Sequence, residues 1–183
     1  MRDALVQSGL FDADARIRGS STQFFSGKHK PFPLSEDELV QQASPRNLPE
    51  AQLRERWRRW GFADEGDLPT VHFFDSRYQL GLAIARSDYD IQVSSDTLAE
   101  RMAAYLLHYP NRQVISPHGG HYRHEYVVEL FPALDVWAQT WSEITGRDVN
   151  IAGFAGQGPV GPSGFREDDW VVIEPPAQRE EES

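Results

Sequence analysis

Two carboxylates stand two residues apart in the run Ser87-Asp88-Tyr89-Asp90-Ile91-Gln92-Val93. If that run is a strand, side-chain alternation puts Asp88, Asp90 and Gln92 on one face and Tyr89, Ile91 and Val93 on the other. Two carboxylates about 7 Å apart along a strand suit a hard, oxygen-preferring ion such as Mg²⁺. A solvated edge strand carries the same pattern, so the pair alone identifies nothing. Earlier in the chain, Arg16-Ile17-Arg18-Gly19-Ser20-Ser21 runs a short β-type segment into a Gly-Ser turn. Backbone N–H groups and a hydroxyl in such a turn can hold phosphate oxygens. A phosphate cradle combined with metal-binding carboxylates points to nucleotide chemistry.

His118, His121 and His124 recur at three-residue intervals beside Glu125, and imidazoles with a carboxylate can ligate zinc. Their spacing matches no common helix-borne zinc motif, and Gly119-Gly120 argues against a helix, so a polar loop is expected. The chain has no Gly-x-Ser-x-Gly elbow and no Walker lysine motif. Cysteine is absent, which excludes disulfides, thiolate zinc sites and a cysteine nucleophile.

The elements that must position these groups follow from pattern and punctuation. Ala4 to Phe11 reads as a short helix broken near Gly9, and Ala15 to Arg18 as a strand. Pro31-Phe32-Pro33 interrupts regular structure. Ser35 to Glu38 has capping-box spacing for a helix through about Gln42. Pro49 opens a second helix in which Leu53, Trp57 and Trp60 share a face and Gly61 is the stop, with Arg54, Arg56, Arg58 and Arg59 forming a solvated basic face. Val71 to Phe74 and Tyr78 to Ala85 read as a hairpin about Asp75-Ser76-Arg77. A strand over Asp88 to Ser94 comes next, then a helix opened by Thr97 and Glu100 and running to His108. Gln113 to Ser116 reads as a short strand. A helical stripe runs from Val127 to Ile144, kinked or opened by Pro132 and ended by Gly146. Asp148 to Phe154 and Trp170 to Ile173 are the final strands, separated by a loop with four glycines and two prolines between Gly156 and Gly164.

At 183 residues, with 39% hydrophobic and 11% aromatic content, the chain can build one packed core. Mean hydropathy is -0.56, and no run approaches the roughly 18 consecutive apolar residues of a membrane span, so no membrane association and a cytoplasmic location are expected. The net charge of -10 is concentrated towards the end, where seven acids from Glu167 onward face only Arg179. That balance argues against duplex DNA as a partner. Residues 175–183 are expected to be an acidic disordered tail.

Taken together, Arg18-Gly19-Ser20-Ser21 and Asp88-Tyr89-Asp90 resemble the DNA polymerase beta type nucleotidyltransferase superfamily, whose pattern is a Gly-Ser turn followed by a strand with Asp-x-Asp. Lys30-Pro31-Phe32 adds a likeness to a bacterial subgroup of small nucleotidyltransferase-like domains. The resemblance implies an α+β fold with a mixed β-sheet flanked by helices, filling residues 1–174 as a single domain. In compact members the two motifs lie close in sequence; here residues 20–87 separate them, so residues 34–86 would be an insertion, which loop entropy tolerates.

The resemblance further implies that Gly19, Ser20 and Ser21 hold the phosphates of a nucleoside triphosphate while Asp88 and Asp90 hold Mg²⁺. Asp148 is the candidate third carboxylate and activates the acceptor hydroxyl, with Asn150 on the same face as its competitor. Arg18, Lys28 or Lys30 would add positive charge near the phosphates. The implied reaction moves a nucleoside monophosphate to an acceptor hydroxyl of a small molecule, a protein side chain or an RNA end, with release of pyrophosphate. A catalytically degenerate member of the same fold, binding nucleotide or acting as a toxin-antitoxin or defence-system partner, is the competing expectation.

Overall fold

Four strands, Asp14–Arg18 (β1), Tyr89–Ser94 (β4), Val149–Phe154 (β5) and Trp170–Ile173 (β6), form one mixed sheet in the order β5-β4-β1-β6. In this computed structural model the described residues are 1–18, 25–26, 33, 35–43, 47–60, 72–73, 75–117, 120–156, 158 and 170–173. β1 is antiparallel to both β4 and β6, while β4 and β5 run parallel. The architecture is α+β. A parallel pair needs a crossover, and here it is helical: Asp96–His108 (α5), His124–Leu130 (α6) and Pro132–Thr145 (α7) connect β4 to β5.

Alternation divides the sheet into two unlike faces. Ala15 and Ile17 on β1, Ile91 and Val93 on β4, and Val149 and Ile151 on β5 belong to the cluster that also contains Leu98, Met102, Val127, Phe131 and Leu134 from the crossover helices and Leu5 from Arg2–Gln7 (α1). The other face carries Asp14, Arg16, Asp90, Gln92 and Asn150. The helices approach β5 closely at Gly153: a Cβ there would lie 2.9 Å from a Leu98 methyl and 3.1 Å from one of Val127.

As the outermost strand, β5 has N–H groups that need partners outside the sheet. Val149 N–H donates to Ser142 Oγ at 3.0 Å and Ile151 N–H to His124 Nδ1 at 3.0 Å. Gly153 exchanges backbone bonds with Tyr122. Each outward donor from 149 to 153 is thereby paired, and the strand edge is closed to foreign strands.

Compact unit 1 comprises residues 1–19 and 89–183, and unit 2 comprises residues 20–88. The sheet and crossover helices belong to the first. In the second, Phe25–Ser26 (β2) pairs antiparallel with His72–Phe73 (β3), and Glu36–Gln42 (α2), Glu50–Trp60 (α3) and Ser76–Gln79 (α4) supply Leu39, Leu53, Trp57 and the neighbouring Leu80 and Leu82 to a separate apolar cluster. Ser35 caps α2 as the sequence predicts, its hydroxyl accepting from Glu38 N–H at 3.1 Å. Arg54 joins α2 to α3 through Glu36, Asp37 and Glu50. These carboxylates hold the Arg54 guanidinium above its ordinary pKa, with Glu50 the largest contributor. Such exposed pairs orient helices more than they stabilise them.

Several expectations are corrected. Tyr78 to Ala85 is not a strand: Gln79 and Leu80 N–H groups bond back to Asp75 and Ser76 carbonyls, making one helical turn, and β3 finds its partner in β2 instead. The N-cap of α5 is Ser95, whose hydroxyl accepts from Leu98 N–H at 3.0 Å, so Thr97 lies inside the helix. Ser95 Oγ also donates to Asp12 Oδ1 at 2.8 Å, while Asp12 Oδ2 accepts from Thr97 N–H at 3.1 Å. Of the two roles expected for Pro132, the structure has it opening a helix, at the start of α7. Between Gln113 and Ser116 only Ile115 makes a bridge, to Tyr122. The tail at 175–183 lies outside the described residues.

Candidate functional site

β1 and β4 bring Arg18 and Asp90 together at one sheet end. Their register runs from Asp14 opposite Ser94 to Arg18 opposite Asp90. On the far side of β4, Asp90 is opposite Asn150 of β5. Arg18, Asp90 and Asn150 therefore form one row across three strands, and alternation puts all three positions on the polar face. Gly19, Ser20 and Ser21 lie outside the described residues, as do Lys28 and Lys30.

Asp90 is exposed, and so is Asp88, the residue before Tyr89 at the start of β4. Asp148 is exposed just before β5, and its carbonyl accepts from Tyr89 N–H at 2.8 Å, which ties the entry of β5 to the entry of β4. Asn150, partly buried, occupies the position directly across from Asp90. The structure thus brings Asp90, Asn150 and the backbone of Asp148 to one end of the sheet.

Further along the same face the surface closes. Gln92, Ser94 and Asp14 retain 5%, 5% and 7% of their accessible surface. Gly158, at φ +86, passes so close to Ser94 that a Cβ would meet its hydroxyl at 2.5 Å, so only glycine fits. Arg16 stands between the open and covered parts. Its Nε donates to Asp14 Oδ2 at 2.8 Å, and its Nη2 forms an ion pair with the same oxygen at 2.8 Å. Asp14 Oδ1 is buried without a hydrogen-bond partner.

Among the described residues no three His, Asp or Glu side chains form a ready-made metal cage. Mg²⁺ differs from zinc in this respect, because it is commonly held by one or two carboxylates and completed by substrate phosphates and water. Asp90, an exposed carboxylate, has the oxygen donor type that such an ion prefers.

The histidine run has a structural role in this fold. His124 opens α6, and its Nδ1 is the acceptor that closes the β5 edge; burial lowers its pKa, opposed by the Asp135 and Glu125 charges. His121 packs against the Phe154 ring, with centroids 5.6 Å apart. His118 lies outside the described residues.

Sequence reasoning overlooked Asp14 and Arg16. The signal was present: Asp14, Arg16 and Arg18 alternate with Ala13, Ala15 and Ile17, the period-two mark of a strand with one polar face. Among the described residues no helix is long and apolar enough to cross a membrane. No family model, curated protein or solved structure matches the chain.

Proposed function

We propose that this protein is a Mg²⁺-dependent nucleotidyltransferase of the polymerase beta type, moving a nucleoside monophosphate from a nucleoside triphosphate to an acceptor hydroxyl. The observation that carries the reading is the register: the residue preceding Gly-Ser is the cross-strand partner of the second Asp of Asp-x-Asp. Arg18 and Asp90, far apart in sequence, belong to adjacent strands, and the nucleotidyltransferase-like fold, with residues 34–86 as an insertion, would account for that pairing.

On this reading Gly19, Ser20 and Ser21 bind phosphate oxygens, and Asp88 and Asp90 hold Mg²⁺, which neutralises charge on the transferred group when bound. Asp148 accepts the proton of the acceptor hydroxyl. The acceptor oxygen forms a bond to the α-phosphorus as the bond to the β-phosphate oxygen breaks, and pyrophosphate leaves. The acceptor on this reading is a small molecule, a protein side chain or an RNA end.

One observation favours the second reading, a degenerate nucleotide-binding member acting as a toxin-antitoxin or defence-system partner: the residue directly across from Asp90 is the amide Asn150, not a carboxylate. Incubation with each of the four nucleoside triphosphates and Mg²⁺ decides between them. The enzyme releases pyrophosphate and labels an acceptor, whereas the binding protein shows nucleotide-dependent thermal stabilisation with no pyrophosphate.

A further inference from the structure

We propose that the cleft between α3 and α4 in unit 2 is a binding site for a small phosphorylated polyol, with Arg56 and Arg59 taking the phosphate and Gln52, Glu55 and Gln79 the hydroxyls. The inference stands on unit 2 alone and goes beyond the nucleotidyltransferase reading.

Helical spacing makes the cleft. Gln52, Glu55, Arg56 and Arg59 recur at three- and four-residue intervals along α3 and therefore share one face. Together with Gln79 at the end of α4 they line a cavity of about 250 Å³. Leu53 and Trp57, on another face of α3, belong to the apolar cluster. Gln52, Glu55 and Arg59 are exposed and Arg56 and Gln79 partly buried, so no lining residue is shut off from solvent.

Charge is the second argument. On the side of α3 that faces α2, arginines are matched by acids: Arg54 pairs with Glu36, Asp37 and Glu50, and Arg58 with Glu36. The cleft side differs. Arg56 Nη1 donates to the Gln79 backbone carbonyl at 2.6 Å, a neutral partner that orients the guanidinium without compensating its charge. Glu55 and Arg59 stand four residues apart in the order that favours pairing, yet among the described residues neither side chain makes a hydrogen bond or ion pair. Two guanidiniums three residues apart on one face repel each other. A phosphate between them removes that repulsion and matches the fork of donors that arginine presents.

The rest of the lining selects the ligand. Glu55 accepts hydroxyl protons and opposes a second anion, and the side-chain amides of Gln52 and Gln79 both donate and accept. The described lining has no aromatic ring on which a base could stack. Its volume lies below the roughly 300–1,000 Å³ of drug-sized ligand pockets, which suits a phosphate on a short polyol rather than a whole nucleotide.

The test titrates the full chain, without Mg²⁺, with ribose 5-phosphate, ribose and inorganic phosphate in isothermal titration calorimetry. Ribose 5-phosphate should bind saturably and more tightly than either fragment. Arg59→Gln should weaken it about ten- to a hundredfold, as expected for a lost charged hydrogen bond. Arg58→Gln, on the side facing α2, should leave the affinity unchanged, and Glu55→Gln should weaken ribose 5-phosphate but not inorganic phosphate. Asp88→Ala with Asp90→Ala should retain binding, because the cleft is not the nucleotide site. Wild type that does not bind ribose 5-phosphate, or binds inorganic phosphate equally well, overturns the inference. Unaltered affinity in Arg59→Gln, an equal loss in Arg58→Gln, or loss of binding in the Asp88 and Asp90 double variant overturns it too. Should Arg59→Gln fail to fold, amide shift changes in isotopically labelled wild type decide: changes centred on Gln52, Glu55, Arg56 and Arg59 uphold the site, and changes centred elsewhere overturn it. Absence of binding in the cleft leaves the nucleotidyltransferase reading standing, since that reading is tested by pyrophosphate release.

Discussion

Asp90 is the side chain on which the proposed chemistry turns, because it is exposed at the one place where β1, β4 and β5 all present polar positions. Exposure means that its carboxylate contributes little to packing. Asp90→Asn should therefore change unfolding free energy by less than about 0.5 kcal/mol. Activity should fall by about a hundredfold or more in initial-rate assays of pyrophosphate release. A variant that loses both stability and activity would assign Asp90 to the scaffold. Asn150→Asp would add a carboxylate across the ladder from Asp90; under the enzymatic reading it lowers the Mg²⁺ concentration needed for half-maximal rate. The acidic pair was legible because period-two alternation is a local property of a strand. Asp14 was not, because whether a carboxylate binds substrate or anchors an arginine depends on partners that folding supplies.

Element by element, the helices and strands owe their ends to polar groups that the sequence displays only partly. Ser95 caps α5 and is itself held by Asp12, whose pKa is lowered overall: desolvation raises it, but the bonds from Ser95 and Thr97 outweigh that. Ser95→Ala should cost about 1–2 kcal/mol in denaturant unfolding, against little for Thr97→Ala. The sequence favours Thr97 because Glu100 completes a capping box there; Asp12, 83 residues before Ser95, decides the matter and leaves no local trace.

His124 gives a pH dependence with a defined sign. Its Nδ1 accepts from Ile151 N–H only when that nitrogen is unprotonated, and burial lowers its pKa below the ordinary 6.5. As pH falls through 6.5 the unfolded chain binds the proton before the folded one does, so stability is complete above that pH and declines towards the lowered folded value. Urea midpoints compared at pH 7.5 and 5.5 should drop more for wild type than for His124→Gln, which keeps an acceptor that does not titrate. Gly153→Ala should destabilise by about 1–3 kcal/mol through overpacking against Leu98 and Val127. The misread hairpin has a similar lesson. Tyr78 to Ala85 has β-type composition, but Leu80 and Leu82 are claimed by the apolar cluster of unit 2, and tertiary burial overrides propensity.

For the molecule as a whole, the α+β class was readable from alternating strand and helix patterns, and so was the separation between motifs. What the chain could not announce was pairing, because β1 and β4 meet only through a register written in two distant segments. The central claim is that this meeting makes a metal-nucleotide site. Titrating Mn²⁺ with a nucleoside triphosphate into isotopically labelled protein, and following paramagnetic broadening of backbone amides, tests it most directly. The account predicts broadening centred on Asp90 and its neighbours Arg18 and Asn150, abolished by Asp88→Ala with Asp90→Ala. Broadening centred elsewhere, or unchanged by the double substitution, would contradict it.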